Sequence, residues 1–158
     1  MLHVANSRSA TILAGVIAGI LSTLVQILLW LGFTDGFPAF LFRDARLTAA
    51  LALGNSVLPP PATFDMGVML AAAAIHFTLS IVYAALLLRF ASRLEIAPAM
   101  LVGAGFGIVL YIVNLYGFTM VFPWFAQVRG WITLAAHVAF GISVVLAYRC
   151  LYSGCAQD

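Results

Sequence analysis

Lysine is missing from this chain altogether, and charge of either sign is scarce. Only 8% of the 158 residues are charged, against about 25% in a soluble globular domain. So little charge cannot cover a water-soluble body, and 65% of the residues are hydrophobic, so the solvent for this chain is lipid. There is no basic run and no aromatic–basic stripe, which excludes nucleic acid as a partner. Cysteine is limited to Cys150 and Cys155, after the last apolar run. Two thiols in C-x4-C spacing are neither a secreted disulfide framework nor a zinc site, and they read as ordinary tail thiols. No carboxylate pair, activated nucleophile or phosphate loop is present, so the sequence gives catalysis no support and a non-enzymatic protein is expected.

What the chain has instead is four long apolar runs. A membrane helix needs about 20 mostly apolar residues to cross a hydrocarbon core of about 30 Å. Residues 10–33, 66–88, 98–121 and 131–148 qualify. The first run is too long for the roughly 7–15-residue core of a signal peptide, and reads as an uncleaved first span. No lipidation pattern precedes it. Asp65 is placed to meet the positive end of the second helix, and Pro98 suits the first turn of the third. Pro59, Pro60 and Pro61 forbid extending the second helix upstream.

Arg8, Arg89, Arg93 and Arg149 fall on one side of these spans; Arg43, Arg46 and Arg129 fall on the other. That bias puts both termini in the cytoplasm. Trp30, Trp124 and Trp131 then form an aromatic belt at the outer interface, with Tyr148 and Tyr152 at the inner one. Trp124, Trp131, Arg43 and Arg129 are the expected anchors of the outer loops, and the two arginines could snorkel to headgroups or bind an anionic group.

One phrase occurs twice. Residues 32–40 read GFTDGFPAF and residues 117–125 read GFTMVFPWF. The shared frame G-F-T-x-x-F-P-x-F marks an internal repeat. Each copy follows a span and precedes another, so the expected fold is an all-α membrane protein of four transmembrane helices. It is one domain over residues 1–158, built as two parallel helix-hairpin repeats, 10–90 and 97–150. Gly15-x-x-x-Gly19 and Gly103-x-x-x-Gly107 are matching small-residue faces, expected at the seam between the repeats. The main asymmetry is an insertion in the first outer loop. Its segment 44–53 reads as a short interfacial or re-entrant helix.

Few polar residues interrupt the spans, and these are the best pointers to a site. Gln26, His76, Asn114 and His137 supply one per helix, roughly 9–15 Å from the outer ends at 1.5 Å per residue. Tyr111 lies one turn from Asn114 and could join them. Three readings of this cluster stay open. The groups could simply hydrogen-bond the helices together, in a structural or accessory subunit acting through helix and loop contacts with a protein partner or a second copy. They could bind a small solute or proton in an oligomeric transporter. Or His76 and His137 could be axial ligands of a haem b. No other cofactor or metal is expected.

The run GFTMVFPWFAQVRGWITLAAHVAFG at 117–141, with 32–46 and PPPATFD at 59–65, resembles a group of small four-span proteins of proteobacteria. Some of that group carry a sodium:proline symporter label. Four spans are too few for that carrier fold, and the unwound mid-helix ion sites of such carriers have no counterpart here. The resemblance implies a multi-pass protein of the bacterial inner membrane and supplies no activity.

Overall fold

The computed structural model describes residues 7–153, and every regular element in that range is helical. Helix α1 is Ser7–Phe33, α2 Ala39–Leu53, α3 Met66–Ala91, α4 Ile96–Ile112 and α5 Trp131–Ser153. Short 3-10 turns cover Asn55–Val57, Phe118–Met120 and Pro123–Val128. Four stretches are long and apolar enough to cross a membrane: Ser7–Phe33, Met66–Ala91, Ile96–Met120 and Trp131–Tyr152. The chain is therefore compatible with a multi-pass membrane protein, as the hydropathy pattern implies. Cys155 lies outside the described residues; Cys150 is an exposed free thiol.

The four long helices pack in the order α3–α1–α5–α4, and α3 and α4 touch only slightly although they are consecutive. Both ends of the bundle have a distinct character. At one end, which we call the turn end, α3 and α4 are joined by residues 92–95, and Arg149 of α5 donates to the Leu94 carbonyl there. At the other, the loop end, lie α2 and the segment 113–130.

Glycine sets the distances between neighbouring helices. A Cβ on Gly15 would stand 2.8 Å from the Ile81 Cα, and one on Gly19 would stand 2.9 Å from the Ser80 Oγ. A Cβ on Gly103 would meet the Gly141 carbonyl oxygen at 2.6 Å, and Gly107 lies closer still to the His137 carbonyl. The Gly15, Gly103 and Gly107 contacts are backbone-on-backbone approaches that only glycine permits, while Gly19 makes room for the Ser80 and His76 side chains. They lie at the α1–α3 and α4–α5 contacts. The expectation that the glycine pairs line the seam between the two halves is thus corrected. The α1–α5 seam is carried instead by Ala10, Ala14 and Ala18, spaced one stripe along α1, against Phe140, Val144, Val145 and Tyr148.

At the loop end the structure departs from the hydropathy reading in two places. Helix α2 starts at Ala39, not 44, because Pro38 can lead a helix from outside its hydrogen-bonded turns. Asp65 caps α3 as expected, accepting from the Val68 N–H at 2.9 Å. The third span, expected at 98–121, is Ile96–Met120, but its α-helical part α4 stops at Ile112 and gives way to one π turn, Val113–Gly117. Two of the expected interface aromatics are internal. Trp30 is only 5% exposed and packs edge-on against Phe40 of α2, and Tyr148 is buried in the core. Trp131 is 55% exposed and meets Phe33 edge-on.

Candidate functional site

Helix α2 is short but not peripheral. Ala45 and Ala49 pack on Val68 and Ala72 of α3, while Leu47 is fully buried beside Leu115 and Val128. The 3-10 segment Pro123–Val128 lies next to it, and the Trp124 Nε1–H donates to the Leu47 carbonyl at 3.1 Å. Together they make a roof over the loop end. Beneath the roof, between the loop-end halves of α1, α3, α4 and α5, is a cavity of about 490 Å³. That lies within the range of small-molecule sites, roughly 300–1,000 Å³.

The cavity wall is mostly apolar, with a small set of polar groups. One chain of hydrogen bonds crosses it. The Tyr83 hydroxyl donates to Asn114 Oδ1 at 3.0 Å, and Asn114 Nδ2 lies 3.4 Å from His137 Nε2. His137 Nδ1 lies 2.8 Å from the Thr133 carbonyl. A carbonyl can only accept, so Nδ1 carries the proton and a neutral His137 offers Nε2 as the acceptor for the Asn114 amide. The chain thus has one direction throughout, from α3 through the π turn to α5. That turn holds Asn114, and single π turns inside helices recur at functional sites.

On the opposite wall, His76 Nε2 lies 3.3 Å from the Gly19 carbonyl and 3.4 Å from Thr23 Oγ1. Thr23 and Ser22 both donate to that same carbonyl. His76 therefore donates through Nε2 and keeps Nδ1 as an acceptor. At the roof, Gln26 Nε2 donates to Asp44 Oδ2 at 3.2 Å, tying α1 to α2. Arg43 closes on Asp44 Oδ1 through Nε and a second nitrogen, both at 2.8 Å, and its guanidinium sits 4.7 Å over the Phe40 ring. Burial raises the Asp44 carboxyl above its ordinary value, outweighing the lowering by Arg43 and Gln26.

Of the five residues expected in the cluster, Gln26, His76, Asn114 and His137 line the one cavity. They fall into separate hydrogen-bonded groups, and Gln26 bonds to the roof instead of to the histidines. Tyr111 stands edge-on to His137 at 5.8 Å, but its hydroxyl turns outward and accepts from the Gly130 N–H. Two members were missed, Asp44 and Tyr83. Asp44 opens the expected interfacial segment 44–53, and Tyr83 lies inside the second apolar run. The small-residue face of α2, buried at Ala45, Ala49 and Ala50, is the one local hint that its segment packs inward.

The expected outer-loop anchors have specific protein partners. Arg129 donates to the Leu115 carbonyl at 2.8 Å and to Thr119 Oγ1 at 2.9 Å, and lies 4.3 Å over the Tyr116 ring. It thereby caps the carbonyl end where α4 breaks. Arg46 holds the loop after α2 through the Val57 and Thr63 carbonyls. A haem between His76 and His137 would need an imidazole nitrogen from each aimed at one iron. As placed, the Nε2 of His76 lies against the Gly19 carbonyl and that of His137 against the Asn114 amide, each within its own hydrogen-bonded group. Among the described residues, no group of three metal-ligating side chains comes together.

Comparison with protein-family models, with curated proteins and with solved structures finds no match to this chain.

Proposed function

We propose that this is a non-enzymatic accessory protein of the bacterial inner membrane that works by holding a small molecule in the cavity beneath its roof. The observation that carries the reading is a one-sided cavity. Its loop-end half is lined by hydrogen-bonding groups. The turn-end half of the bundle is filled instead by an apolar core of Ala84, Leu87, Leu88, Ala99, Val144 and Val145, none of which lines the cavity. Polar groups inside a membrane are costly and need a use. A site formed this way can bind, and its roof is the surface that would report occupancy to a protein partner or a second copy. Arginine bias puts the roof on the outer face and both termini in the cytoplasm.

The duplicated-hairpin reading belongs to the same proposal. Gly19 lies against His76, and Gly107 lies against His137. Matching glycine pairs packed against matching histidine helices favour an ancestral helix pair copied once. In the transport alternative, the apolar turn-end core has to open at each cycle. It predicts substrate flux in liposomes that is lost in His76→Ala and in His137→Ala.

Occupancy is tested by extracting the protein with its surrounding lipid in polymer discs and analysing the organic extract by mass spectrometry. Ala73 is exposed and borders the cavity, so Ala73→Trp blocks the mouth without entering the core. A species enriched with the wild type and lost in Ala73→Trp supports the proposal. Identical extracts from both sink it.

A further inference from the structure

The chemistry of the cavity narrows what it can hold, and this inference rests on the binding reading above. Charge is the first filter. The charged groups at the cavity are Asp44, which lines it, and Arg43 beside it, and these two neutralise each other. A carboxylate, phosphate or ammonium ligand would enter a low-dielectric space and find no counter-ion there. The desolvation cost would go uncompensated.

Hydrogen-bonding capacity is the second filter. His76 keeps Nδ1 as an acceptor. Asn114 commits one amide hydrogen to His137, which leaves the other free. Ser80 is buried with its hydroxyl beside the Gly19–His76 contact. A ligand head that both accepts and donates, without charge, matches this set; a hydroxyl is the simplest such group.

Access is the third. The cavity rim includes exposed Ala73 of α3 and Phe118, which is 44% exposed and follows the π turn. Ala73 belongs to α3 and Phe118 follows α4, the two consecutive helices that barely touch, and exposed residues on them such as Leu70 and Val113 are apolar. The mouth is therefore flanked by the surface that faces lipid tails.

We infer that the cavity takes an uncharged, lipid-soluble molecule with a hydroxyl-type head, which enters sideways from the bilayer between α3 and α4. The head seats between His76 and the Tyr83–Asn114–His137 chain. The tail leaves past Phe118 into the bilayer. This occupant could be a single-chain lipophile or a neutral membrane lipid such as a diacylglycerol, and the test separates them.

Trp30 lines the cavity and is nearly buried, so it reports on a brominated tail by fluorescence quenching. The protein in lipid discs is titrated with a tail-brominated 4-alkylphenol, the benzoate and benzylammonium of the same chain, and a tail-brominated diacylglycerol. Trp30→Phe sets the background from the other tryptophans. Saturable quenching by the phenol, at least tenfold weaker with both charged heads and at least tenfold weaker in Asn114→Leu and in Ala73→Trp, is the expected result. If the diacylglycerol saturates in place of the phenol, the occupant is a membrane lipid. Equal or tighter binding of a charged head, still lost in Ala73→Trp, overturns the ligand class and leaves the cavity reading standing. Quenching that never saturates with any probe, with no species lost from the Ala73→Trp extract, overturns both.

Discussion

Helix α4 carries three glycines two residues apart, and they should answer substitution in opposite directions. Gly103 faces α5: an added methyl would stand 2.6 Å from the Gly141 carbonyl oxygen, 3.0 Å from its carbonyl carbon and 3.2 Å from a Val145 methyl. Ordinary contact begins at 3.4 Å, so the two backbones must part by roughly 0.8 Å, which is the overpacking regime of about 1–3 kcal/mol. The obstruction is backbone on a rigid helix and cannot rotate away, so Gly103→Ala belongs at the upper end, near 3 kcal/mol. Gly105 has nothing within 4 Å of the same added atom. There the substitution only removes backbone freedom, and Gly105→Ala should be neutral or stabilising by up to about 1 kcal/mol. Reversible unfolding of both variants in one detergent, followed by helical circular dichroism, gives the comparison. Equal stability of the two variants, in either direction, refutes the claim that Gly103 exists to let α4 and α5 close.

Other expectations follow from the hydrogen bonds. Asn114→Leu leaves Tyr83 and His137 without their shared partner and should cost about 1–2 kcal/mol; a double-mutant cycle with Tyr83→Phe should show coupling, and strict additivity would break the proposed chain. Trp124→Phe removes the bond to the Leu47 carbonyl at about 1 kcal/mol, and hydrogen exchange should quicken in α2 before the long helices. Arg129→Ala uncaps the Leu115 carbonyl, so exchange should rise in 113–120 and spare α3. Asp44 is the pH-dependent member of the site. Its folded value is raised, so the protonated form is favoured by folding. Its contribution is fully present below the ordinary value of 3.8 and lost as pH rises through the higher folded value. Wild-type stability should therefore rise on acidification towards that value relative to Asp44→Asn, and parallel pH profiles of the two proteins would contradict it.

The features visible in the sequence are those encoded by neighbouring residues. Apolar run length places the four long helices, because crossing hydrocarbon is a local demand on about 20 consecutive residues. Asp65 and Pro98 mark helix starts for the same reason: a cap acts within three or four residues. The candidate site is different. Asp44 meets Gln26 only because α2 folds back over the bundle, and that fold-back rests on Ala45 and Ala49 finding Val68 and Ala72. The small-residue face beside Asp44 hints that the segment packs inward and says nothing of where. The π turn is a sharper case. VNLYG contains no proline, and its one glycine comes last. The turn is secured from outside, by Arg129 taking the Leu115 carbonyl and by the Tyr111 hydroxyl holding Gly130.

This same division explains why the glycine pairs were recognised and misplaced. A small-x-x-x-small face states that a helix must approach closely, and says nothing about which helix it approaches. In each half the partner is the histidine helix, and the second glycine of the pair lies against the histidine at the cavity wall. Gly19 supplies the carbonyl that orients His76, and Gly107 stands against the backbone of His137. Packing and site therefore share residues here. A substitution at Gly19 or Gly107 should disturb the cavity and the fold together, whereas Ala73→Trp at the mouth should disturb the cavity alone. If Gly107→Ala is destabilised yet still quenches Trp30 with wild-type affinity for the alkylphenol, the histidine's position does not depend on the seam, and the coupling argued here is wrong.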